Sequence, residues 1–167
     1  MKQLLENWKR FIDEVEDFDD FADTAEKIDQ NLQYYYRDHA PTKGKRKDLG
    51  EWEGTGNDLV SFELPKGDVF FFVVDQNDDP LAYIAVAPFR ESYAVGNMTK
   101  KAGEKSFFQT EFYKKVMEVL GKGSLYSDKV QTTGGKGLWA RLKDEGSAKK
   151  IDTSDEDGKG KWRWRLK

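Results

Sequence analysis

A chain of 167 residues with 5 Trp, 7 Tyr and 11 Phe has the length of one ordinary domain and enough large apolar side chains for a core, which excludes an intrinsically disordered chain. Charged residues make up 35% of the sequence, the net charge is −3, and no run approaches the roughly 18 apolar residues of a membrane span. With no cysteine and one histidine, a disulfide framework and a thiolate metal site are excluded, and few ligands remain for zinc.

The charge is uneven: residues 1–38 hold 11 Asp and Glu against 5 Lys and Arg, whereas residues 39–167 hold 20 against 23. The opening MKQLLENWKRFIDEVED is interrupted by charge too often for a signal peptide, so the sequence predicts a soluble, intracellular protein. Leu4, Trp8, Phe11, Ile12, Val15 and Phe18 recur at three- and four-residue steps and predict a helix with one apolar and one acidic face. Phe21, Ala25, Ile28 and Leu32 continue the pattern after Asp19-Asp20, a pair suited to a cap or a bend. This acidic segment is expected to cover a sheet with its apolar face; docking on a protein partner is the alternative. The stretch YYYRDHAPTKGKRKDLG then loses periodicity and gathers Pro41, Gly44, Gly50 and four basic residues within Lys43–Lys47, which predicts a basic surface loop over residues 39–57.

From Asp58 the period becomes that of strands: DLVSFEL, DVFFFVVD, LAYIAVAPF and SYAVGNM. The turn residues Gln76-Asn77-Asp78-Asp79 before Pro80 predict an antiparallel hairpin of 68–75 with 81–87. Both faces of DVFFFVVD are apolar, so that strand should be central and covered on both sides. Phe108, Phe112, Val116 and Leu120 at steps of four, with Ser106 as N-cap, predict a helix. There follow a strand in SLYSDKV, a helix in GLWARLKDE ended by Gly146, a strand in AKKID, a turn in TSDEDGKG and a last strand in KWRWRL. A helix between the fourth and fifth strands demands a right-handed crossover, hence a parallel pair in a mostly antiparallel sheet. The fold class is α+β within a single domain, residues 1–167: an acidic helical segment, the basic loop, and a sheet with helices over 58–167.

This order of elements over residues 58–167 resembles the GCN5-related N-acetyltransferase (GNAT) fold. LYSD, GGKGLWARL and KWRWRL are in addition similar to small proteins of that fold encoded by tailed bacteriophages. The resemblance implies acetyl-CoA, its pyrophosphate held by backbone N–H groups between the fourth strand and the next helix, in a pattern written Arg/Gln-x-x-Gly-x-Gly/Ala. The nearest match is Lys100-Lys101-Ala102-Gly103-Glu104-Lys105, so Lys100, Lys101, Gly103 and Ser106 are the implied cofactor-binding residues. Lys105 stands where a small residue is expected and would crowd the phosphate. The resemblance also implies a tyrosine as general acid four residues before the glycine ending the last helix; that position is Leu142. Tyr126 could replace it only by facing the cleft, and no general base emerges.

The expected function is therefore that of a catalytically degenerate GNAT-like protein, phage-encoded, acting in binding or in the virion, in the host cytoplasm or the particle. Its expected partner is a protein, with no membrane and no cofactor bound. The alternative is an acetyl-CoA-dependent N-acyltransferase. Nucleic-acid binding through TKGKRK and KWRWRLK is opposed by the net charge, and alternation of Trp with Arg also fits a half-buried terminal strand.

Overall fold

The computed structural model describes residues 25–101, 109–127, 133–152 and 162–167. The apolar periodicity of residues 4–21, expected as a helix, lies outside them. The first described element is a helix, α1 (Ala25–Tyr34), that runs on through a π turn at Tyr35–His39 into α2 (Ala40–Lys43). Pro41 explains the π turn. It has no N–H to return to the carbonyl four residues back, and the backbone widens so that Ala40 donates to the Tyr35 carbonyl instead. The Thr42 hydroxyl donates to the Asp38 carbonyl at 3.0 Å. Leu32, Tyr36 and Ala40 stay on one buried face through the change of pitch.

Eight strands follow: β1 (Lys45–Trp52), β2 (Asn57–Glu63), β3 (Val69–Val74), β4 (Pro80–Phe89), β5 (Ser92–Lys100), β6 (Leu125–Tyr126), β7 (Ala148–Asp152) and β8 (Trp162–Leu166). Helix α3 (Gln109–Leu120) joins β5 to β6, and α4 (Thr133–Asp144) joins β6 to β7. The sheet order is β1-β2-β3-β4-β5-β6-β8-β7, and every neighbouring pair is antiparallel except β5 with β6. The fold is thus α+β with a mostly antiparallel sheet, and from Asn57 onward its elements occur in the order that the resemblance implied.

Two apolar cores lie on opposite faces of the sheet. On one, Leu32, Tyr36 and Ala40 pack on Val60, Phe62, Phe72, Val74 and Tyr83. On the other, Phe112, Tyr113 and Val116 of α3 and Leu138, Trp139 and Leu142 of α4 cover Phe71, Val73, Ile84, Val86 and Trp164, among others. β3 feeds both cores with alternate residues, which is why its sequence is apolar throughout. The expected turn closes the β3–β4 hairpin: the Asp75 carboxylate accepts from the Asn77 and Asp79 amides at 2.8 and 3.0 Å, and Asp78 takes a φ of 63°.

One expectation needs correction. Residues 39–57 are not a loop; the helix persists to Lys43 and β1 occupies most of the rest. Exposed on both faces at nearly every residue, β1 needs no apolar alternation and shows none. Its approach to β2 is tight, for a Cβ on Gly44 would stand 2.8 Å from the Glu63 carbonyl oxygen. In the last strand both Arg163 and Trp164 are buried. Among the described residues no helix is long and apolar enough to cross a membrane.

Candidate functional site

The one parallel junction of the sheet is also its weakest. β5 pairs with β4 along its whole length, but it meets β6 at a single position, Ala94 opposite Tyr126. Both strands run the same way from that point. Among the described residues, no further strand pairing joins β5 beyond Ala94 to β6. A bulge lies just beyond that pair in β5. Ala85 faces Asn97 and Val86 faces Val95, which leaves Gly96 as the extra residue of β5. Such bulges re-aim side chains beside functional sites. Here Val95 and Met98 pack towards the core under α3 and α4, while Asn97 turns to the opposite face and donates to the Tyr83 hydroxyl at 2.6 Å. Burial above all, with Tyr35 nearby, pushes the Tyr83 hydroxyl far up.

Lys100 ends β5 and Lys101 follows it. The Lys101 amide donates to the Leu81 carbonyl at 2.7 Å, and its ammonium lies 3.8 Å from Asp29 of α1. Gly103 and Ser106, the other two residues implied for a cofactor, lie outside the described residues. The structure therefore places the two lysines together and gives no geometry for the rest of that set.

Tyr126 lies at the β5–β6 pair itself. Its hydroxyl donates to Glu91 Oε2, in the turn before β5, at 2.6 Å. The Ser124 hydroxyl donates to the same oxygen at 3.3 Å, and Arg165 stands 3.5 Å from it. Burial first, and then the Glu91 hydrogen bond, raise the Tyr126 hydroxyl above its usual value. That bond in turn is the main reason why the Glu91 carboxyl is held low. Beside this cluster the Phe89 ring packs edge-on against Tyr126 at 5.0 Å. The Arg163 guanidinium lies 4.2 Å from the Phe89 centroid and donates to the Ser127 carbonyl at 2.7 Å. Sequence reasoning placed neither Glu91 nor Arg163 here. Tyr126 and Arg165 are partners only through the β6–β8 register, which spacing along the chain does not reveal.

Leu142 is wholly buried, and Gly146 ends α4 with a φ of 83°. Trp139, one turn earlier, packs edge-on against Tyr113 at 5.4 Å. The inward face of α4 is thus a packing surface at both positions.

No protein-family model matches the chain, and a search of curated proteins found no match. Among solved structures, the chain is similar to one described as an acetyltransferase of the GNAT family from Staphylococcus aureus Mu50. The identity is 12% over 85% of this chain and 92% of that one, with a TM-score of 0.45.

Proposed function

We propose that this chain is a binding protein built on an acetyltransferase-like arrangement and does not itself transfer acyl groups. One observation carries the reading. Where the resemblance implies a proton-donating tyrosine, α4 presents Leu142, 0% exposed and enclosed in the core. Acyl transfer from a thioester releases a thiolate that is protonated as it leaves, and an aliphatic side chain has no proton to supply. Tyr126 does not make good the loss, because its hydroxyl is engaged by Glu91 and is a weaker acid than free tyrosine. The similarity of LYSD, GGKGLWARL and KWRWRL to small tailed-phage proteins extends the reading to a phage-encoded chain that binds a protein partner, in the host cytoplasm or in the particle.

The test combines calorimetry with acetyl-CoA and an assay of thiol release against polyamines, lysine peptides and free α-amines. Turnover no faster than the uncatalysed background is the expected result. Release of CoA matched by acetylation of any acceptor would overturn the proposal.

A second reading, acetyl-CoA-dependent N-acyl transfer, is favoured by the single-pair parallel junction of β5 with β6 and by Lys100 and Lys101 at the end of β5. Under that reading acetyl-CoA binds with low-micromolar affinity, and Lys101→Glu weakens it in a variant that still melts cooperatively.

A further inference from the structure

The face of the sheet that carries α1 is covered by it over one half. On the other half, the strand register fixes which side chains stand there. Leu125, Ala148, Trp164 and Leu166 belong to the core under α3 and α4. Side chains alternate along a strand, so Tyr126, Lys149, Arg163 and Arg165 point to the face of α1, with Arg165 opposite both Tyr126 and Lys149. The core under α1 takes no residue from β6, β7 or β8. Half-buried Ala87, Phe89 and Ala94 form the floor between that core and these strands.

This half is basic. β6, β7 and β8 place Lys149, Arg163 and Arg165 on it and no carboxylate, since Asp152 shares the face of Ala148. Glu91 approaches Arg165 only to 3.5 Å, and Arg165 Nε is buried without a hydrogen-bond partner among the described residues. The Arg163 guanidinium donates to the Ser127 carbonyl, which is neutral and leaves its charge in place. Lys149 is exposed.

We propose that residues 1–24 of this chain dock on this half of the sheet. They hold eight Asp and Glu against three Lys and Arg, the opposite charge to the strands. Leu4, Trp8, Phe11, Val15 and Phe18 recur at three- and four-residue steps, the period of one apolar helical stripe. Laid on Ala87, Phe89 and Ala94, that stripe brings its acidic flanks beside the guanidinium groups and Lys149. The reach suffices. Asp29 of α1 lies 3.8 Å from Lys101, just past the end of β5, so the chain enters α1 beside the strand that neighbours β6. From Lys101 back to Ala94 is roughly 23 Å of strand, and 24 residues span about 36 Å even when wound into a helix.

The full chain has no cysteine, so Asp13→Cys, on the acidic side of the stripe, carries a single nitroxide label. Amide signals of residues 148–151 and 163–166 should then be broadened several-fold more than those of residues 45–52 in β1. Lys149→Glu alters an exposed side chain and should lower the docked-to-free ratio about two- to fivefold, the weight of an exposed ion pair, and added salt should act in the same direction. Broadening absent from β7 and β8, or centred on β1, overturns the proposal, as does broadening indifferent to both Lys149→Glu and salt. Mixing nitroxide-labelled chains with isotope-labelled chains that lack the nitroxide should leave the signals of the latter sharp; broadening in that mixture shows docking on a second chain and rejects docking within one.

Discussion

The sheet has two halves of different character. Around β3, two cores press on one strand from both sides: Phe72 stacks on Tyr83 at 5.4 Å and meets Phe62 edge-on, while Phe71 and Val73 serve the opposite core. At the β5–β6 junction, one residue pair carries the continuity of the sheet, and polar groups hold the surroundings through Asn97, Glu91 and Tyr126. The difference teaches where this molecule can change its chemistry. Substitution around β3 is answerable to packing alone, whereas the β5–β6 junction is bordered by side chains that can be altered without emptying a core.

Phe72→Ala should be the most damaging single change, costing about 3–5 kcal/mol in chemical denaturation, as deletion of a fully buried aromatic ring does. Any ligand affinity measured on the folded fraction should remain; an altered affinity would show that the two halves are coupled and break the contrast between them.

Tyr36→Phe comes next. Its hydroxyl donates to Asp78 at 2.5 Å, so its loss should cost roughly 1.5–3 kcal/mol, the range for hydrogen bonds to charged groups. Burial and then the Asp78 hydrogen bond push this hydroxyl up to about 12 from 10.0. The folded protein therefore holds the proton more tightly than the unfolded chain, and the stabilisation is complete below pH 10.0 and lost as the pH rises towards about 12. Melting curves of parent and variant should converge across that window.

Asn97→Ala should cost about 1 kcal/mol by thermal melting, since the Tyr83 hydroxyl loses one neutral partner. Its greater use is to sharpen the contrast, because the bulge at Gly96 loses a tether. Hydrogen exchange faster in β5 than in β3 is the expected signature.

The smallest effect belongs to Tyr126→Phe. Hydrogen bonding, chiefly from Tyr126, lowers the Glu91 carboxyl in the folded protein. The stabilisation this brings is complete above the usual carboxylate range and is lost as the pH falls through the depressed value. The variant should melt slightly below the parent at neutral pH and converge with it in acid, so that its melting temperature falls less steeply as the pH drops.

Legibility in the sequence followed the physical origin of each element. The β3–β4 hairpin was readable because Asp75 through Asp79 carry their own turn chemistry, and α3 because Phe112, Val116 and Leu120 mark one buried face. β1 was not, since an edge strand exposed at six of its eight residues has no apolar period to display. The helix through Lys43 was hidden by Pro41, which reads as a breaker but here only widens one turn. That Lys100 and Lys101 follow the fourth long strand of the 58–167 region was legible from local order. The Glu91–Tyr126–Arg165 cluster was not, because it is assembled from three distant segments.

The single-pair junction between β5 and β6 also bears on how the chain acquires its structure. β1 to β5 pair in chain order, so each contact closes a short loop soon after the last. The parallel contact must wait for the chain to pass through α3, and β6 then pairs with β8 across the intervening β7. Nucleation is thereby directed to the meander and closure of the sheet to a late step. Kinetically, truncation at Val73 should slow folding, while truncation at Leu125 should chiefly hasten unfolding. A chain organised in this way can open its junction without dissolving its nucleus.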